Sequence, residues 1–136
     1  MNVGVIDDDP SVQRALRRLL RTAGYHVIVF ASGNDFLAAD EIPRPICLVV
    51  DVRMPGMTGL DLQNALAGTR QEVPMVMISG DADAPTVERA RAGGAVAFLA
   101  KPVEAEALFD AIERGLAEDR RHIDKRTGTT RQTTER

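Results

Sequence analysis

Four short apolar runs in this chain end on residues able to do chemistry. Val3–Ile6 is followed by Asp7, Asp8 and Asp9, and Ile46–Val50 by Asp51. Met75–Ile78 is followed by Ser79, Gly80 and Asp81, and Val96–Ala100 by Lys101 and Pro102. Asp7, Asp8 and Asp51, brought together in a partly buried cleft, would repel one another strongly and tolerate ionisation only beside a cation. Oxygen-only ligands favour a hard divalent ion, and an open site that keeps its water favours Mg²⁺. No His or Cys stands near these positions, which argues against zinc. Asp9, directly before Pro10, reads instead as a helix cap. Lys101 is one of two lysines against fifteen arginines, and the other, Lys125, lies in the C-terminal stretch. An ammonium at the end of a buried strand offers a compact charge to an anion or a carboxylate. Ser79 offers a hydroxyl to an anion held between Asp51 and Lys101, although a serine before Gly80 also suits a turn. His26 and His122 are the only histidines and give Ser79 no base, so a serine-hydrolase triad is not expected.

These residues act together only if the fold sets the four run ends on one rim. The runs, with His26–Phe30 as a fifth, are rich in β-branched residues and alternate little. That is the pattern of parallel strands covered on both faces. Segments of helical period separate them. Val12, Ala15, Leu16, Leu19 and Leu20 form one apolar stripe, and Ala105, Leu108, Phe109, Ile112 and Leu116 another. A helix over about 85–93 has a thin apolar face, mainly Val87 and Ala90, which suits a loosely held element. Pro10 fits a first helical turn, Thr58 with Asp61 a capping box, and Gly24 and Gly93-Gly94 helix ends. Pro102 stops the fifth strand, and the sequence leaves the isomer of the Lys101–Pro102 bond open. The resulting order, βαβαβαβαβα, implies right-handed crossovers and helices on both faces of one parallel sheet. Ligands of such sheets bind outside the carboxyl ends of the strands.

The chain has 136 residues, which suits one domain of ordinary size. Its single cysteine, Cys47, cannot form an intrachain disulfide and reads as a small buried residue, in keeping with a reducing compartment. No apolar run is long enough to span a membrane, and the first residues lack a signal-peptide pattern, so a membrane or secreted protein is not expected. Net charge is −3, unevenly spread. Residues 119–136 carry six basic and three acidic side chains, and residues 1–118 eleven basic and seventeen acidic ones. The acidic body is a poor nucleic-acid surface. The Thr- and Arg-rich stretch 119–136 has one aliphatic residue, Ile123, and reads as a charged linker or tail. Met54, Met57, Met75 and Met77 read as packing residues, and Gly56 and Gly59 belong to a tight loop without the residues of a P-loop.

Together the stretches VIDDDPSV, LVVDVRMPGMTGLDL, ISGDAD and FLAKP resemble the receiver domain of bacterial two-component response regulators, the CheY-like superfamily, over about residues 2–118. MPGMTG and SGDAD look most like the FixJ/LuxR-type regulators that carry a C-terminal helix-turn-helix output domain. The resemblance implies a (βα)5 doubly wound sheet of flavodoxin-like strand order 2-1-3-4-5, with residues 1–118 as the receiver. It implies Asp51 as phosphoacceptor, and Asp7, Asp8, Asp51 and the backbone carbonyl of Arg53 as Mg²⁺ ligands. Ser79 and Lys101 would bind the phosphoryl group, Phe98 would be the switch aromatic, and Arg53 and Asp81 would tune dephosphorylation. The implied location of the chain is the cytoplasm, and the implied phosphodonor is a sensor histidine kinase. The implied output is a change in the face made by the fourth helix, fifth strand and fifth helix, with homodimerisation there, and DNA contact only through an output domain outside this chain. The family's usual threonine is Ser79 here, and its commonest switch tyrosine is Phe98. Three other readings compete. A stand-alone receiver would signal by protein contact. A small Mg²⁺-dependent phosphohydrolase would use a second Asp two residues after the nucleophile, where this chain has Arg53. A degenerate receiver would lack the intact set Asp8, Asp51, Ser79 and Lys101.

Overall fold

The computed structural model describes residues 1–39 and 42–127, with side chains described up to residue 119. Five strands, β1 (Asn2–Ile6), β2 (His26–Phe30), β3 (Cys47–Asp51), β4 (Met75–Ser79) and β5 (Ala97–Ala100), alternate with five helices. These are α1 (Pro10–Thr22), α2 (Gly33–Ala38), α3 (Gly59–Leu66), α4 (Ala84–Ala92) and α5 (Ala105–Thr127). Every strand pair is parallel and the order is β2-β1-β3-β4-β5, as the resemblance implies. All residues of the inner strands β3 and β4 are buried, whereas the edge strands β2 and β5 are only partly covered.

Strand alternation divides the core in two. Val3, Val5, Cys47, Val49, Val76 and Ile78 point to one face, where Leu16 and Leu20 of α1 and Leu108, Ala111 and Ile112 of α5 cover them. Ile6, Leu48, Val50, Met75 and Met77 point to the other, under Phe36 of α2, Leu60, Leu62 and Leu66 of α3 and Ala90 of α4. Met54 is buried and Met57 packs against this second core, so the methionines do pack. Cys47 is fully buried, and burial pushes its thiol up to about 12, which leaves it unreactive.

Local chemistry starts the helices where the sequence places them. Asp9 caps α1 by accepting from Ser11 N at 2.8 Å, and Pro10 opens the helix. Thr58 and Asp61 make the reciprocal capping box of α3. Helix α5 runs through Thr127, so residues 119–127 of the charged stretch are helical. Ala117, Glu118 and Arg120 are good helix formers, which helps carry the helix past Leu116, its last apolar contact among the residues whose side chains are described. Residues 128–136, the rest of the expected linker, lie outside the described residues. Among the described residues no helix is long and apolar enough to cross a membrane.

Candidate functional site

Register brings the strand ends to one rim. Ile6 pairs with Val50, which sets Asp7 level with Asp51, and Asp51 pairs with Ile78, one residue before Ser79. Ser79 pairs with Ala100, one residue before Lys101. Because the strands are parallel, each polar residue emerges at the same edge, above two apolar cores. The Lys101–Pro102 peptide bond is cis.

Asp7 and Asp51 are buried and Asp8 is exposed, yet one carboxylate oxygen from each lies within 4.8 Å of the others. Lys101 stands opposite, its Nζ 3.1 Å from Asp7 Oδ2 and 3.4 Å from Asp51 Oδ2. Asp7 Oδ1 accepts from Asp9 N at 2.9 Å, and Asp51 Oδ1 accepts from Arg53 N at 3.1 Å. Among the described residues Asp7 Oδ2 is buried without a hydrogen-bond donor, although the Lys101 ammonium stands 3.1 Å away as an ion-pair partner. A buried anionic oxygen lacking a donor, in a set of oxygens only, fits a hard divalent cation.

Burial pushes the Asp51 carboxyl above the ordinary carboxylate value, and the Asp7 charge pushes it further. The Arg53 N–H and the Lys101 ammonium pull it back without cancelling the rise. Burial works against the Lys101 charge, but Asp7 and Asp51 outweigh it and hold the ammonium above the ordinary lysine value. The pocket thus keeps a permanent cation facing carboxylates that repel one another. Such an arrangement favours an incoming anion on the lysine side and a metal ion on the acid side.

The other expected residues lie around this pocket. Ser79 is fully buried, and its hydroxyl donates to the Asp81 carbonyl and accepts from Asp81 N, both at 3.1 Å. Its turn role is therefore made, and the hydroxyl is committed to Asp81 in this state. Phe98 is partly buried against the core beneath α3 and α4. The Arg53 guanidinium reaches across the mouth of the pocket to Asp83 Oδ2 at 2.9 Å and stands 3.7 Å from Asp81 Oδ2. Asp83 and Gln13, whose Nε2 donates to the Asp7 carbonyl at 2.6 Å, are positioned here although the sequence did not single them out. Asp83 carries a local signal, an acid two residues before Pro85 at a helix start, but that signal names only a cap.

The loop after Asp51 folds back tightly. Gly59 opens α3 beside Asp51, and a Cβ there would lie 2.9 Å from the Asp51 carbonyl oxygen and 2.9 Å from Val52 Cα. Both are backbone atoms and cannot rotate away. Gly59→Ala is expected to cost about 1–3 kcal/mol, read as a lower urea midpoint at unchanged slope. A variant as stable as the parent would show that the loop has room to spare.

Comparison with known proteins agrees with this fold. The sequence model of the response regulator receiver domain matches residues 3–113. Nodulation protein W of Bradyrhizobium diazoefficiens is 40% identical over 119 residues, 88% of this chain and 52% of that protein. The solved structure of response regulator StyR is 42% identical, with a TM-score of 0.78, over 96% of this chain and 67% of that one. FixJ-N is 34% identical, with a TM-score of 0.76, over 85% of this chain and 93% of that one. The chain spans about half the length of the curated relatives it matches. With its parallel five-stranded sheet, its acids on the first and third strand ends and its lysine on the fifth, the chain belongs to the response regulator receiver domain family.

Proposed function

We propose that this chain is a cytoplasmic phosphorylation switch in which Asp51 accepts a phosphoryl group from a phosphohistidine on a sensor histidine kinase. The observation that carries the reading is the Lys101 ammonium, set 3.1 Å and 3.4 Å from Asp7 and Asp51 across from the acidic cluster. One Asp51 oxygen attacks phosphorus, the P–N bond breaks, and its electron pair returns to the imidazole, which takes up a proton. The product is an acyl phosphate on Asp51. Asp7, Asp8, Asp51 and the Arg53 carbonyl would hold Mg²⁺, which when bound neutralises charge on the phosphoryl oxygens. Lys101 pairs with another phosphoryl oxygen as charge spreads over the transferring group.

Ser79 leaves the Asp81 carbonyl to donate to the phosphoryl group, and Phe98 turns into the space it vacates. The α4-β5-α5 face changes shape as a result and supports homodimerisation. Water later cleaves the acyl phosphate, and Arg53 and Asp81 at the pocket mouth set its lifetime. The product stays attached until then, so the protein is a switch and not a turnover enzyme. The half-length match to its relatives, one of them a transcriptional regulatory protein, supports an output domain beyond this chain that contacts DNA. A stand-alone receiver is the second reading. The phosphohydrolase reading is weaker, because the position two residues after Asp51 holds Arg53, whose side chain pairs with Asp83 and carries no acid.

Intact mass after incubation with Mg²⁺ and acetyl phosphate tests the proposal. A single phosphate adduct that lasts minutes is expected, abolished by EDTA and by Asp51→Asn. Continuous phosphate release over many turnovers would instead identify a hydrolase.

A further inference from the structure

Helix α4 is held chiefly at its ends. It buries one residue, Ala90, whereas α3 buries Leu60, Leu62 and Leu66. At its N-terminal end Asp83 caps the helix, with Oδ1 accepting from Thr86 N at 2.9 Å. Asp83 Oδ2 accepts from Arg53 Nη2, also at 2.9 Å. At the C-terminal end Gln63 of α3 donates its Nε2 to the Ala90 carbonyl at 2.9 Å, in buried surroundings. The Gln63 amide lies flat against Gly93, where an added Cβ would overlap it.

The two ties differ in kind. A buried hydrogen bond is expensive to leave unmade, whereas an exposed ion pair competes with water and salt. The Gln63 tie therefore acts as a hinge, and the Arg53–Asp83 pair, with the arginine side chain 53% exposed, acts as a latch. The latch begins at the phosphoacceptor loop, because the Arg53 N–H already donates to Asp51 Oδ1. The Arg53 side chain is rooted at the residue whose N–H bonds Asp51, so its long, half-exposed stem can turn towards a group carried on that carboxylate.

Resting on the phosphoacceptor reading, we propose that Arg53 is a positioning residue that conveys the charge on Asp51 to α4. In the unmodified protein Asp83 holds the guanidinium. A phosphoryl group on Asp51 brings more negative charge than the carboxylate it replaces and draws the guanidinium off Asp83. The N-terminal end of α4 is then free to swing about the Gln63–Ala90 hinge. This route runs through loop and helix cap, separately from Ser79 and Phe98.

Hydrogen exchange of the full chain, with intact mass on the same samples, tests it. Asp83→Asn keeps a good helix cap and removes the nearer of the two carboxylate charges beside Arg53, the one that ties it to α4. In the parent, the Asp51 adduct is expected to speed exchange of the Thr86–Ala90 amides about two- to fivefold, the range open to an exposed ion pair. Asp83→Asn is expected to show that faster exchange before modification, with little further change after it. Gly93→Ala displaces the Gln63 amide and is expected to speed exchange at Arg91–Ala95 in both states. An adduct without a change in α4 exchange, or Asp83→Asn matching the parent in both states, would overturn the relay. Unchanged exchange in Gly93→Ala would overturn the hinge. Absence of any adduct would overturn the phosphoacceptor reading, and the relay with it.

Discussion

Lys101→Met is expected to destabilise the protein by about 2–4 kcal/mol at neutral pH, more than any other single change at the site. Methionine keeps the apolar stem, so the loss is one of charge. The change leaves the buried carboxylates of Asp7 and Asp51 facing each other with no cation. Breaking a buried pair from one side is costly because the remaining charge stays desolvated. Lys101 is 24% exposed, which keeps the figure below the upper end for a dry interior. The sign of the pH dependence follows from the two shifts. The Lys101 pKa is raised, so its stabilising contribution is complete below the ordinary lysine value and is lost only as pH rises through the raised one. At neutral pH the parent therefore has it in full. The Asp51 pKa is also raised, so its ionisation does not oppose folding below the ordinary carboxylate value and opposes it in full once pH has risen through the raised one. The ammonium holds the Asp51 pKa down, so removing it raises that pKa further. The deficit of the variant should shrink as pH falls from 7 into the carboxylate range, and Mg²⁺ should restore part of it at pH 7. Urea titrations at pH 7 and pH 4.5, with EDTA or with Mg²⁺, measure both effects. A cost independent of pH and of metal would mean that Lys101 contributes only its stem.

Much of the fold was legible because its signals are local and redundant. The buried strands β3 and β4 are covered on both faces, so they appear as unbroken apolar runs. Asp9-Pro10 and the Thr58–Asp61 pair announce helix starts within three residues. The polar run ends at Asp7, Asp51, Ser79 and Lys101 were legible too, since parallel strands send every carboxyl end to one rim. Helix α2 was hard to delimit because it is six residues long and buries only Gly33 and Phe36, too few to show a period. The Arg53–Asp83 pair joins residues thirty apart, and nothing within either segment points to the other. Gln63 gave a fainter sign, a polar residue one helical step from Leu60 and Leu66 on the core side of α3. Its partner, a backbone carbonyl of α4, has no signature in sequence at all. The engagement of Ser79 with Asp81 is of the same kind: residue types suggested a hydroxyl facing an anion, while the turn geometry decides what it bonds in the unmodified protein.

Asp51→Asn is expected to reverse its rank against the parent when Mg²⁺ is added. Without metal, the parent places an ionised carboxylate where burial and Asp7 both oppose it. Asparagine has the same shape, keeps an acceptor for the Arg53 N–H, and removes the repulsion. At pH 7 the variant should be the more stable by on the order of 1 kcal/mol, the ordinary size of a single-site effect. The loss of the Lys101 attraction reduces this gain but does not reverse it, because burial and the Asp7 charge already outweigh that attraction in the parent. With metal the order inverts. A ligand that binds only the folded state stabilises it by about 2.7 kcal/mol at a concentration one hundred times its Kd. The parent offers Asp7, Asp8 and Asp51 to that ion, and the variant only Asp7 and Asp8 with a neutral amide. Thermal unfolding with EDTA and across a Mg²⁺ titration should therefore give two curves that cross. Ca²⁺ at equal concentration should reproduce part of the parent's gain, since the donors are oxygens, whereas added NaCl at matched ionic strength should not. Parallel curves, with parent and variant gaining equally from Mg²⁺, would mean that the ion acts on the general surface charge and that Asp51 has no part in holding it.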